Sequence, residues 1–208
     1  MKRFYGVYQY AAPLLLTPLA YLAWLVRFDG RHALAAACLA MPVIASYVVA
    51  GVGTNVLKLW AFDTRLKIGE IRPHHGFLLG SATSLLAWLC AGTGWSPLQQ
   101  AFVTGSVVGF WNWLYDRHAV KSGFLIVRSR SSPDEYAPVF FGAFGAVYGA
   151  AACLLEQQVS LLGRDTLLWP LAITGCVATI ALPTGAYVLA SWLRYGDPGL
   201  RPVPTSRS

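Results

Sequence analysis

Five polar residues of types that can do chemistry lie in two connectors between apolar segments: Asp63, His74, His75, Asp116 and His118. Carboxylates and imidazoles can exchange protons with a substrate, and imidazole is also a common metal ligand. At a membrane surface, these five residues suit an enzyme that modifies lipids. However, adjacent histidines on a helix point in different directions, and no second carboxylate lies close in sequence. We therefore predict no catalytic group, metal or cofactor.

The rest of the chain offers no positive signal for catalysis. It has no nucleophile elbow, phosphate-binding glycine loop or zinc-protease helix. The four cysteines fall singly in four apolar segments, which indicates neither a disulfide framework nor a thiolate metal site. Ionisable residues are nearly absent from the apolar segments, and this argues against a proton-coupled transporter.

The composition predicts an integral membrane protein. Of the 208 residues, 56% are hydrophobic and 12% are charged, whereas soluble domains carry about 25% charged residues. The net charge is +7, but the basic residues lie in short connectors. That distribution suits contacts with lipid headgroups better than contacts with a nucleic acid.

The apolar segments predict an all-α protein with about six transmembrane helices arranged as three hairpins. A span needs roughly 20 apolar residues, and six segments fit: Gly6–Val26, Ala33–Asn55, Gly76–Trp95, Gln99–Tyr115, Val139–Gln158 and Leu167–Trp192. We treat the chain as one membrane domain. Residues 1–62, 63–116 and 117–195 each hold one hairpin, and residues 196–208 form a polar tail.

The basic residues predict which ends of the spans share a side of the membrane. Thirteen Lys and Arg residues fall in the N-terminus, the connectors after spans two and four, and the C-terminus. The other side has three, Arg27, Arg31 and Arg164. In a bacterial inner membrane the positive side would be cytoplasmic. The motif Trp-x-aromatic-Asp occurs at Trp60 and again at Trp113, which suggests a repeated hairpin or, equally, two ordinary interfacial clusters.

Glycines and charges surround the longest polar connector. Small residues four positions apart let helices approach closely, so we predict helix packing at Gly105, Gly109, Gly142, Gly145 and Gly149. The connectors also supply candidate contacts for partner proteins or lipid headgroups: Lys67, Arg72, Lys121, Arg128, Arg130 and Asp134.

The stretch from Arg128 to Gly149 resembles the mitochondrial inner-membrane preprotein-translocase and amino-acid-transporter family. The resemblance rests on Arg130 and Asp134, followed by Gly142, Gly145 and Gly149. The family includes protein-import channel subunits and a four-span accessory subunit of respiratory complex I. The resemblance implies that spans three to six form the family's four-helix core. The resemblance also implies that the connector before Val139 faces the intermembrane space. The charge distribution instead places this connector on the matrix side.

Three functional hypotheses follow. The first is a non-catalytic accessory subunit of a large membrane complex, most simply a mitochondrial respiratory complex, with other membrane subunits and phospholipids as partners. The second is a small transporter or translocation-pore component. The third is the interfacial lipid-modifying enzyme. A sealed bundle without a cavity favours the first hypothesis, a water-filled groove the second, and a headgroup or metal among the five polar residues the third.

Overall fold

The computed structural model describes residues 2–92 and 94–203, except for the side chain of residue 2. Most of these residues lie in six long helices: α1 Lys2–Arg27, α2 His32–Gly51, α3 His75–Leu89, α4 Pro97–Lys121, α5 Pro133–Leu155 and α6 Leu168–Tyr195. Two short strands, β1 Trp60–Phe62 and β2 Leu125–Val127, pair antiparallel. One-turn π-helical segments, Val52–Val56 and Glu156–Leu161, follow α2 and α5. The described chain is thus mainly helical with almost no sheet, as predicted.

Local signals fix where several helices begin and end. Ser96 and Gln99 form a capping box at the start of α4, with Pro97 at the first helical position. At the start of α5, the Glu135 carboxylate accepts a hydrogen bond of 2.8 Å from the Ser132 backbone N–H. Helix α6 ends where Gly196 adopts a φ of 71°, a left-handed conformation that glycine favours.

All the segments predicted to share the positive side meet at one end of the bundle. The β1–β2 ribbon joins the connector after α2 to the connector after α4. Tyr5 in α1 packs on Tyr115 and Phe124, and the Val203 N–H donates to the Arg128 carbonyl at 2.7 Å. We call this end the ribbon end. The other end, called the loop end, holds Arg27, Arg31 and Arg164, the three basic residues predicted to lie opposite.

The helices pack as two groups of three rather than as three hairpins. Helix α3 packs mainly on α1 and α2, whereas α5 packs on α4 and α6, and α2–α6 contacts join the groups. Helices α3 and α4 touch only slightly, so the predicted second hairpin is not a packed unit. The two Trp-x-aromatic-Asp segments also differ, because Trp60 begins a strand and Trp113 lies within a helix.

Four of the six helices are long and apolar enough to cross a membrane, which is fewer than the six spans predicted. Helix α3 has only 15 residues, or about 22 Å at 1.5 Å per residue, and a bilayer core is about 30 Å thick. Helix α4 has 25 residues, but its polar side chains lower its mean hydropathy. It also runs six residues past the predicted end at Tyr115.

Four of the predicted packing glycines lie in close contact between α4 and α5. A Cβ atom at Gly105 would lie 2.8 Å from the Gly142 carbonyl oxygen, and one at Gly149 would lie 2.8 Å from the Thr104 Cβ. A Cβ at Gly145 would lie 2.6 Å from the Val108 Cβ. Contacts this close leave no room for a side chain, and they set the spacing of the two helices.

Candidate site: a cavity with a buried polar end

A cavity of about 260 Å³ lies near the ribbon end, between α2, α5 and α6. Its size is close to the lower limit of small-molecule sites, about 300–1,000 Å³. The wall is largely apolar and includes Val49, Leu79, Phe140, Phe144 and Ile180. His75, Asp116 and Tyr136 form its polar end, and the other polar lining residues are Ser46, Ser129, Thr184 and Tyr187. Such a lining suits a molecule with one polar head and an apolar body.

Arg72 lies behind this polar end and is 1% exposed. Its guanidinium carbon lies 3.8 Å from the centre of the Phe62 ring and 5.4 Å from the centre of the Phe124 ring, both cation–π contacts. Its Nη2 atom is 2.9 Å from His75 Nδ1.

The Nε and Nη1 atoms of Arg72 are buried without a hydrogen-bond partner of normal geometry among the described residues. The same residues include no ion-pair partner for Arg72 within 4 Å. The Tyr115 hydroxyl interacts electrostatically with the guanidinium, but a buried cation whose donors are incompletely satisfied is still costly.

Asp116, near the end of α4, is held from α5. It is 8% exposed, and its Oδ2 atom accepts a hydrogen bond of 2.8 Å from the Tyr136 hydroxyl. The glycine contacts between α4 and α5 bring these two residues together, although they are 20 positions apart in sequence. The carboxyl group also lines the cavity, so it can accept a hydrogen bond from a ligand.

Burial shifts the pKa values of three ionisable groups at the ribbon end. Desolvation raises the pKa of Asp116, one residue past the predicted fourth span, from 3.8 to about 7; the Tyr136 hydrogen bond and the Arg72 charge oppose this rise. Desolvation, followed by the positive charge of Arg72, lowers the pKa of His75 well below 6.5 and that of His74 to about 4. Both histidines are therefore neutral at pH 7.

The structure brings only two of the five predicted polar residues to the cavity, His75 and Asp116. His74 is next to the site but packs against the Tyr10 ring at 4.7 Å. The His118 Nδ1 atom lies 2.8 Å from the Leu114 carbonyl oxygen, and the Asp63 side chain is exposed at the turn after β1. Among the described residues, no three His, Cys, Asp or Glu side chains are grouped as metal ligands.

The predicted contact residues mostly bind within the chain. Arg130 pairs with Asp197 at 3.3 Å, and Asp134 accepts from the Trp113 indole at 2.6 Å. The Arg128 N–H donates to the Leu59 carbonyl at 2.7 Å. Lys67 pairs with Glu70, and Lys121 is exposed at the end of α4. Arg72 was predicted to contact a partner or headgroup at the surface, but it is buried and faces inward.

Sequence reasoning missed Tyr136 and the burial of Arg72. No local pattern signals Tyr136, because it meets Asp116 only through the packing of α4 on α5. Arg72 is covered by Phe62 and Phe124, which the ribbon brings together.

The fold and the site together define an all-α protein whose long apolar helices are those of an integral membrane protein, with a largely apolar cavity at the ribbon end. No protein-family model, curated protein or solved structure matches this chain.

Proposed function

We propose that this protein binds a lipid-like amphiphile in the cavity at the ribbon end. The observation that carries the proposal is a largely apolar wall that includes the polar group of His75, Asp116 and Tyr136, with Ser46, Ser129, Thr184 and Tyr187 as its other polar residues.

The depth of the site fits such a ligand. The polar end is formed where α3 and α5 begin and where α4 ends, so it sits near one surface of the bundle. We propose that all six helices cross or enter the membrane, with α3 and α4 shielded by their neighbours. An amphiphile in the bilayer would then have its head at about the depth of the polar end.

The test compares two tryptophan substitutions on the same helix. Ile180 lines the cavity, whereas Ile173 is 62% exposed on the outside of α6. Protein purified in mild detergent should retain a co-purifying amphiphile, detected by extraction and mass spectrometry. Ile180→Trp should fill the cavity and remove it, and Ile173→Trp should not. Equal lipid profiles in wild type and both variants would refute the proposal.

A second candidate is the accessory subunit of a membrane complex, mitochondrial if the translocase-family resemblance reflects ancestry. The observation that favours it is an open groove of about 360 Å³ on the outside of α4 and α5. Small residues line much of this groove: Ala101, Gly105, Ser106, Gly109, Gly142 and Ala146. A partner helix could approach closely there. Gly142→Leu should then release the protein from a larger species on blue-native electrophoresis, while its own helices stay folded.

A further inference from the structure

The contact with Arg72 determines the form of His75 that faces the cavity. A guanidinium group has donors and no acceptor, so the Nδ1 atom 2.9 Å from Arg72 Nη2 must accept. The ring proton of neutral His75 therefore sits on Nε2. Because His75 lines the cavity, it can offer an N–H donor to a ligand.

Asp116 supplies the complementary group. Its Oδ2 atom already accepts from Tyr136, and a carboxylate has further lone pairs available. The polar end therefore combines one neutral donor with one carboxyl acceptor.

The charges at this end disfavour a charged head. Arg72 and Asp116 have opposite signs and both are buried, so the region is close to neutral when both are ionised. A charged head of either sign would meet one attractive and one repulsive charge, with little net gain to offset the cost of removing it from water.

A hydroxyl group matches this arrangement, since it donates one hydrogen bond and accepts another. Building on the proposed function, we infer that the bound amphiphile is an uncharged lipid alcohol, whose hydroxyl donates to Asp116 and accepts from His75.

The test uses four probes that share a dodecyl chain and differ in the head: dodecanol, dodecyl methyl ether, dodecanoate and dodecyltrimethylammonium. Equilibrium binding of radiolabelled dodecanol to the full chain in nanodiscs gives its affinity, and competition gives the others. Dodecanol should bind roughly tenfold more tightly than the ether, which cannot donate to the carboxylate. Both charged probes should bind more weakly than dodecanol.

Two substitutions at Asp116 assign the preference to that residue. Asp116→Leu removes the acceptor and should abolish the difference between alcohol and ether. Asp116→Asn keeps a carbonyl acceptor and should retain part of the difference; it also serves if the Leu variant does not fold. Thermal unfolding of each variant reports whether it is folded.

The outcomes separate this inference from the proposed function. If dodecanol and the ether bind equally and Ile180→Trp blocks both, the cavity binds amphiphiles but the alcohol inference is wrong. Tighter binding of dodecanoate or of the cation would also overturn the inference. If no probe binds in a way that Ile180→Trp blocks, the proposed function itself fails.

Discussion

The two ends of the bundle use their charges differently. At the loop end, Arg27 donates to Glu156 through two hydrogen bonds of 2.9 and 3.2 Å, and Arg31 pairs with Asp165. Arg27 and Glu156 remain 22% exposed. At the ribbon end, Arg72 and Asp116 are buried and are not directly paired. The loop-end charges thus satisfy one another. The ribbon end also has surface ion pairs, such as Arg130–Asp197, but Arg72 and Asp116 lie buried beside the cavity without pairing directly with each other.

This difference indicates which end serves a ligand. Partly exposed ion pairs contribute little to stability, typically under about 1 kcal/mol, and they are compatible with simple closure of a bundle. Buried charges cost several kcal/mol to desolvate. Arg72 and Asp116 bear this cost beside the cavity, which favours a role for this end in binding a ligand.

The largest expected effect comes from removing the buried cation. Arg72→Met deprives Asp116 of the positive charge of Arg72, which opposes the rise of its pKa, and should destabilise the fold by about 3–5 kcal/mol. The double variant Arg72→Met/Asp116→Asn removes both charges and should recover much of the loss. The matched control, Arg27→Met at the loop end, should cost about 1 kcal/mol or less.

The midpoint of thermal unfolding of each of the three variants is measured in detergent, with fluorescence-detected size exclusion as the readout. Equal losses from Arg72→Met and Arg27→Met would remove the distinction between the two ends.

A somewhat smaller effect should appear as a pH dependence. The pKa of Asp116 is raised from 3.8 to about 7 in the folded protein, so the folded state binds this proton more tightly than the unfolded state does. Asp116 therefore contributes its full stabilisation below about pH 4, and this contribution is lost as the pH rises to 7. Between pH 5 and pH 8 wild type should therefore lose about 2–3 kcal/mol relative to Asp116→Asn.

The variant serves as the reference because neighbouring groups also titrate. The lowered pKa of His74 acts in the opposite direction: its stabilising contribution is present above about pH 6.5 and is lost as the pH falls toward 4. His74 is present in both proteins, so the difference between their thermal midpoints isolates Asp116. A difference that does not change between pH 5 and pH 8 would show that Asp116 is not a buried, titrating acid.

The smallest effect concerns the helix contact that supports the site. In Gly145→Ala the new methyl group would lie 2.6 Å from the Val108 Cβ and should cost about 1–2 kcal/mol. Gly142→Ala is the matched control, because its nearest neighbour would be the Gly105 carbonyl oxygen at 3.8 Å. The first variant should also weaken dodecanol binding, since it moves α5, with Tyr136, away from α4 and Asp116. Identical midpoints and affinities for the two variants would contradict this role of the α4–α5 contact.

The sequence predicted the helical class and the grouping of the chain's ends for physical reasons that act locally. Long apolar segments with little charge favour membrane helices, and the basic residues identified the segments that meet at the ribbon end. The span count was harder to predict. Helix α4 buries polar residues such as Gln100 and Asn112 inside the bundle, and hydropathy alone does not show which side chains face inward.

The site was predictable only in part. His75 and Asp116 stood out by residue type and by their places at the ends of apolar segments. The cavity depends on contacts between distant positions, such as the pairing of Trp60 with Val127 across the ribbon. Neither strand was predicted, because each has only three residues.

The central claim, that the ribbon-end cavity holds an amphiphile, is tested most directly by photolabelling in nanodiscs. The probe is a dodecanol with a diazirine close to its hydroxyl group, and labelled residues are mapped by mass spectrometry. Labels should concentrate on cavity-lining residues such as Leu79, Phe140 and Phe144, and Ile180→Trp should abolish them while Ile173→Trp leaves them in place. Labels confined to outward-facing residues such as Ile173 and Leu193, and unchanged by Ile180→Trp, would contradict the claim.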